Sequence, residues 1–277
     1  MAMRVLWVAL VIAAGGGAGY VAWRYANGDV PALPFLPQLA VVAPPASPPT
    51  MPTQTDMASI RASIEAKLRA IPEYAPFFAR LQETFPADYA QVLDDFAARA
   101  AAGEPQNIDR DLSEAYRTLR QTRGIMAAKA GPEALSRMFD SQAAVLNALG
   151  SADPHLCVDF LYGGATQPYF DFSTSHRALV AAIAQAGLDA IIDGHAKNIV
   201  RPRPSDADFD QLEKALAQKG LSRAEIDALI DGKTADPPID DARLCTIGQL
   251  DLQVLKSLPD DLRQRIYGLT IELMARS

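Results

Sequence analysis

Residues 86–103 read PADYAQVLDDFAARAAAG. This stretch begins with proline and ends with glycine, and residues of this kind at helix ends decide the fold. Proline is common in the first turn of a helix, because the N–H that it lacks has no partner there. Glycine is common just past the end, because it adopts the left-handed conformation without strain. The stretch therefore predicts a helix that begins at Pro86 and stops at Gly103.

The same arrangement of an apolar residue followed by proline recurs at Ile71-Pro72 and Leu258-Pro259, with no fixed period that would indicate a repeat protein. Upstream, Ile60, Ile64 and Leu68 form the i, i+4, i+8 stripe of an amphipathic helix. Near the other end of the chain, Ser222 and Glu225 have the spacing of a capping box. These signals all predict helices.

The chain contains no sustained run of alternating β-branched residues, so we expect no strands. Residues 56–277 are long enough for one large domain or for two small ones. We predict an all-α domain of about nine to eleven helices over this range. A subdivision near residue 150 stays open.

A different composition marks the beginning of the chain. Residues 5–23, VLWVALVIAAGGGAGYVAW, contain no charge and no proline. A helix of this length covers roughly 28 Å, close to the hydrocarbon thickness of a bilayer. We therefore expect a single transmembrane anchor at 5–23, preceded by a short cytoplasmic tail at 1–4. The alternative is a cleaved signal peptide, although the run is longer than a usual signal core and ends without a clear cleavage site.

A proline-rich segment separates this anchor from the helical region. Residues 24–55 hold eight of the twenty prolines in the chain. Such a segment adopts extended, polyproline-like structure, with an upper reach of roughly 80 Å here. We predict a spacer between the membrane and the domain. The alternative is a proline-rich ligand for an aromatic groove.

The two cysteines indicate the cellular compartment in which the helical region lies. Cys157 and Cys245 are the only two in the chain, and a single pair suits one disulfide in an oxidising compartment. The alternative is two buried free thiols. Arg4 and the amino terminus give a slight positive-inside bias. We expect a single-pass protein of the bacterial inner membrane with residues 56–277 in the periplasm.

Charge and motif spacing exclude several classes of function. The net charge is −7, and the portion beyond Arg4 and Arg24 therefore carries −9, with its lysines and arginines dispersed. This argues against nucleic acid and against an anionic membrane surface as partners. The chain has no HExxH, CxxC, GxGxxG, P-loop or Gly-x-Ser-x-Gly spacing. We expect neither a metal nor a cofactor.

The most distinctive stretch of the helical region is PHLCVDFLYGGATQPYFDFSTSHR, residues 154–177. Five aromatic residues fall within thirteen positions here, although the chain is only 7% aromatic. Gly163-Gly164 and Pro168 predict a helix, a tight turn and a loop, and Ser173 or Thr174 is expected to cap the next helix. The candidate binding residues are Asp159, Phe160, Tyr162, Tyr169, Phe170, Asp171, Phe172 and His176. The alternative is that these aromatic side chains fill the core.

These observations favour a membrane-anchored, non-enzymatic protein that binds a protein or peptide partner in the cell envelope. One alternative is an enzyme with a site around Asp159, Asp171 and His176. Another is a membrane-tethered periplasmic folding chaperone. In its layout of anchor, spacer and helical domain the chain is similar to the steric lipase chaperones. The resemblance is one of organisation, because Pro168–Phe172 contains Phe170-Asp171 but lacks the arginine and tyrosine of their signature, so no functional residue is transferred.

Overall fold

The computed structural model describes residues 54–276, with side chains from residue 56 onward. The predicted tail, the predicted anchor at 5–23 and nearly all of the spacer lie outside the described residues. Within the described range the regular structure is entirely α-helical, as the sequence predicts. The helices are α1 Gln54–Ala70, α2 Ala75–Thr84, α3 Pro86–Ala101, α4 Ile108–Ala127, α5 Pro132–Ala152, α6 Pro154–Leu161, α7 Gln167–Ser175, α8 Arg177–Lys197, α9 Asp206–Gln218, α10 Arg223–Asp231, α11 Asp241–Ser257 and α12 Asp260–Met274.

The predicted helix ends are largely confirmed. Five helices, α2, α3, α5, α6 and α7, have proline in their first turn. Gly103, just past α3, adopts a φ of 81°, the left-handed conformation that favours glycine. Ser222 and Glu225 form the predicted capping box at the start of α10. Local sequence therefore sets where most helices begin and end.

The described region has twelve helices rather than the predicted nine to eleven, and α7 accounts for part of the difference. The segment predicted as a loop after Gly163-Gly164 is helical, and the predicted cap at Ser173 or Thr174 is wrong. The Ser173 hydroxyl instead donates to the Tyr169 carbonyl oxygen one turn back at 2.7 Å, and the Thr174 hydroxyl oxygen lies 3.0 Å from the Phe170 carbonyl oxygen. The break comes at His176, and α8 begins at Arg177 without a side-chain cap.

α4 and α8 form the centre of the fold, and they lie parallel and side by side. Asp109 of α4 pairs with Arg177 of α8, and the far end of α4 meets the far end of α8 at Gly194. A Cβ atom on Gly194 would lie only 1.8 Å from the carbonyl oxygen of Met126, so the two backbones touch there. Only glycine allows so close an approach. α5 packs against α8 as well.

α8 is the one helix of the described region with the length and apolar composition of a membrane span. Half of its most apolar window is buried inside the protein. α8 is buried because it lies between α4 and α5. A mostly apolar helix is expected in such a position, where neighbouring helices cover it.

A buried carboxylate fixes the beginning of α4 against α8. Asp109 is 3% exposed, and it accepts hydrogen bonds from Arg177 Nε at 3.0 Å, from Thr174 Oγ1 at 2.8 Å and from the Tyr74 hydroxyl. Burial by itself would raise the pKa of Asp109, but these hydrogen bonds outweigh burial and hold the pKa below its usual value. The charge is therefore retained inside the protein because it is fully paired.

The predicted disulfide is present. Cys157 of α6 and Cys245 of α11 are bonded, and both are buried. The bond closes a loop of 88 residues, and restriction of the unfolded chain by such a loop stabilises the fold by about 4 kcal/mol in the chain-entropy model. It ties α6, which precedes the aromatic stretch, to the C-terminal helices.

One buried carboxyl group has no compensating charge. Asp251 of α11 is 3% exposed, and its Oδ1 atom has no hydrogen-bond partner among the described residues. Burial raises the pKa of Asp251 to about 7. This carboxyl group is therefore largely protonated in the folded protein below neutral pH.

The close approach of α4 and α8 gives a first prediction. Gly194→Ala should lower the free energy of unfolding by about 3 kcal/mol, because the new methyl group would overlap backbone atoms that cannot rotate away. Gly268→Ala in α12 is the matched control, since its Cβ would lie 3.3 Å from the flexible Arg201 side chain. We expect a change within about 1 kcal/mol there. Urea unfolding of the full chain in mild detergent measures both, and equal shifts would contradict the packing argument.

Asp251 gives a prediction about pH. The pKa of this group is raised on folding, so its effect on stability becomes unfavourable as pH rises from about 4 to about 7. Asp251→Asn should leave stability unchanged near pH 4 and raise the free energy of unfolding by about 2 kcal/mol at pH 8, because the neutral amide replaces a buried charge. Urea unfolding at the two pH values tests this. A gain that does not depend on pH would contradict a raised pKa of Asp251 and would show that the gain has another cause.

Candidate functional site

The candidate site is a cavity of about 480 Å³ that opens beside α4 and is bounded by the α6–α7 turn, α7 and α8. We call it the α4 groove. Volumes of this order, with mostly apolar walls and a few polar groups, are typical of binding sites. Its apolar walls are made by Leu112, Tyr116, Phe160, Tyr169, Phe170, Val180, Ile183, Ala184 and Met274.

Helical spacing explains why α4 and α8 line the same groove. Val180, Ile183 and Ala184 lie three and four residues apart on α8, so they share one face of that helix. Tyr116 lies across from them on α4, and a Cβ atom on Gly187 would approach the Tyr116 ring to 2.3 Å. The absence of a side chain at Gly187 therefore leaves room for the Tyr116 ring at the groove wall.

Aromatic side chains from the stretch that the sequence singles out form one end of the groove. Phe160 stacks on Tyr169 with ring centroids 5.8 Å apart, and Tyr169 meets Phe170 edge-on at 5.9 Å. Tyr169 and Phe170 are buried, whereas Phe160 is half-buried. Burial raises the pKa of Tyr169 to about 12, so its hydroxyl is neutral at physiological pH.

Two uncharged polar atoms in the groove lining lack hydrogen bonds, and so does Nε of Arg110, whose charge is matched by nearby carboxylates. The Oε1 atom of Gln142 and the Oγ1 atom of Thr166 are buried, and neither has a partner among the described residues. Gln142, on α5, is only 5% exposed. Leaving such an atom unpaired costs about 1–3 kcal/mol, so each atom favours a ligand that supplies the missing bond.

The groove also carries unequal charge along α4. At one end Arg110 lies 3.6 Å from Glu104 and 3.8 Å from Glu114, so its charge is matched. Further along, Arg117 is exposed and has no carboxylate within 4.0 Å among the described residues. Arg120 lies one turn beyond it and is 7% exposed, and burial lowers its pKa. Arg117 therefore carries a positive charge that no carboxylate of the described residues matches.

The structure brings three of the eight predicted binding residues into this groove and places the other five elsewhere. Phe160, Tyr169 and Phe170 line it. Tyr162 is 55% exposed and borders a separate cavity of about 50 Å³. Phe172 is buried and stacks on His176 with ring centroids 4.0 Å apart.

The three residues suggested for an enzyme site are not joined to one another. Asp159 lies 3.9 Å from the His155 ring, and Asp171, on the surface, accepts a hydrogen bond from Gln167 at 2.9 Å. Nδ1 of His176 lies 3.0 Å from the Phe172 carbonyl oxygen. In the described part of the chain, no hydrogen bond or ion pair connects any two of these three residues, and no group of three or more His, Cys, Asp or Glu side chains is placed to hold a metal.

Residues that sequence reasoning missed come from α4 and α5. Arg117 and Arg120 resemble any solvated helix residues in the sequence, and nothing distinguishes them there. Gln142 did leave a signal, because it lies between Phe139 and Val145 on the apolar face of α5. A polar residue on such a face indicates either a buried hydrogen bond or a binding site.

Comparison with protein-family models, with curated proteins and with solved structures finds no match to this chain.

Gln142 gives a prediction that tests whether the groove is a site under functional constraint. Gln142→Leu should raise the free energy of unfolding by about 1 kcal/mol, because it removes a buried acceptor that has no partner and keeps a similar volume. Gln91→Leu on the exposed face of α3 is the matched control, and we expect no gain there. Urea unfolding of both variants provides the comparison. A loss of stability in the Gln142 variant would mean that the amide oxygen is bonded within the protein.

Proposed function

We propose that this protein is a membrane-anchored, non-enzymatic binding module of the bacterial envelope, and that the α4 groove accepts an apolar segment of a protein or peptide partner. The observation that carries the proposal is the groove itself. It combines an apolar cavity of about 480 Å³ with two uncharged buried polar atoms that lack hydrogen bonds, and that combination is typical of a binding site rather than of core packing.

The surroundings of the groove support a rigid site. α4 and α8, which form two of its walls, are held in contact by the glycine at 194 and by the Asp109–Arg177 pair. The Cys157–Cys245 bond holds α6, which leads into the turn at its edge. A preformed site of this kind binds with little loss of entropy on ordering.

The proposed anchor and spacer suit the same role. A proline-rich tether with a reach of roughly 80 Å lets a domain search the space beside a membrane while staying at high local concentration. We propose that residues 5–23 lie in the inner membrane and that the groove faces partners in the periplasm. The Cys157–Cys245 bond supports an oxidising compartment.

Site-specific photocrosslinking in the cells that make the protein tests the proposal. The photoreactive residue p-benzoylphenylalanine replaces Ala165, which is exposed at the edge of the groove, or, as a control, Ala217 on the exposed face of α9. We expect one discrete partner to be captured from position 165 and not from position 217. The capture should fall at least about tenfold when Phe170→Asp places a charge in the apolar wall. Equal capture from both positions would contradict the assignment of the groove.

A further inference from the structure

We infer that the α4 groove recognises the free C-terminal end of an apolar peptide. In this arrangement the terminal carboxylate lies at Arg117, and the apolar side chains lie against Phe160, Tyr169 and Phe170. The inference rests on the proposed function, because it takes the groove to be a binding site and then specifies the chemistry of its ligand.

The groove has two chemically different ends. Ser113 lines the groove one turn after Asp109, whose carboxylate accepts a hydrogen bond from Thr174 of α7, so this part of α4 lies at the aromatic end. Arg117 and Arg120 follow four and seven residues later, which places them roughly 6 Å and 10 Å further along the helix axis. An extended peptide rises about 3.3 Å per residue, so the nearer distance corresponds to roughly two residues. A short peptide end therefore reaches from the aromatic rings to Arg117.

The charges favour an anion at that end. Arg117 is exposed at the groove and has no carboxylate within 4.0 Å in the described part of the chain. The arginine at the opposite end, Arg110, is already matched by Glu104 and Glu114. A ligand carboxylate consequently finds an unmatched guanidinium at one end only, and this fixes the direction in which the ligand lies.

The unpaired amide oxygen favours a peptide over a fatty acid. Oε1 of Gln142 is an acceptor, so a ligand must bring an N–H or O–H donor to satisfy it. A peptide main chain carries such a donor at each residue other than proline, and a hydrocarbon tail carries none. Oγ1 of Thr166 can pair with either group of a peptide unit. Oε1 of Gln142 and Oγ1 of Thr166 can pair with a peptide main chain, and Arg117 can pair with its ionised terminal carboxylate.

The test compares two forms of the same ligand on the full chain reconstituted in lipid nanodiscs. A library of fluorescent apolar pentapeptides is synthesised twice, once with a free carboxylate and once with a carboxamide at the C-terminus. We expect the peptides that bind to prefer the free-acid form by about tenfold in Kd. The preference should fall as NaCl is raised from about 50 mM to about 500 mM, because salt screens the exposed guanidinium.

Two variants distinguish the contribution of the ligand carboxylate to affinity from that of the ligand N–H group. Arg117→Gln should abolish the preference by weakening the binding of the free acid about tenfold, while Arg137→Gln, at another exposed arginine, should keep the preference. Gln142→Leu should weaken both forms by about tenfold without changing their ratio. Circular dichroism confirms that each variant is folded.

Each outcome has a definite meaning. Equal affinity for the two forms, or a preference that survives Arg117→Gln, overturns the inference and leaves the groove as a binding site for another part of a partner. Binding of laurate that depends on Arg117, with no binding of any peptide, also overturns it and identifies a fatty-acid site. A groove that binds no peptide in either form and no laurate, with equal photocrosslinking from positions 165 and 217, overturns the proposed function as well.

Discussion

The rest of the structure depends on the contact between α4 and α8. Two residues without side chains, Gly187 and Gly194, let the second helix lie directly against Tyr116 and the Met126 carbonyl of the first. The Asp109–Arg177 pair fixes the register at the other end of the same two helices. α5 completes the centre by packing on α8. A protein interior packs as densely as an organic crystal, so a contact this tight permits few alternative arrangements of its neighbours.

The groove follows from this central contact. Because α4 and α8 are parallel and in register, Tyr116 of one helix faces the segment of the other that carries Val180, Ile183 and Ala184. The α6–α7 turn and the aromatic residues of α7 then form the edge of the cavity rather than closing over it. The same aromatic stretch thus contributes both to the core, through Phe172, and to the groove, through Phe160. Core filling, one of the two interpretations of that stretch, is therefore observed at Phe172, whereas recognition through Phe160 stays a prediction.

The buried polar groups divide into two kinds, and the division bears on function. Asp109 is buried with its charge because three donors surround it, and it contributes to the fold. Gln142 and Thr166 each have a polar atom without a hydrogen-bond partner in a cavity wall. These unpaired atoms lower the stability of the protein and do not contribute to the fold. Costs of this kind are expected where a site must bind something, since binding sites are optimised for their ligand rather than for the free protein.

The sequence by itself determined the all-α fold of the described residues and most helix boundaries, because helix ends depend on residues within one or two turns. Two cysteines allow only one pairing, but only the packing of α6 on α11 decided that Cys157 and Cys245 are bonded rather than free. The sequence did not determine that residues 167–175 are helical, because tertiary packing around Asp109 decides how the Thr174 hydroxyl is used. Nor did it determine the α4 groove. Leu112, Gln142 and Phe160 are separated by many residues in the chain, and only the packing of α4, α5 and α6 around α8 brings them to one cavity. Helices follow from local interactions, whereas a binding site is a product of contacts distant in sequence.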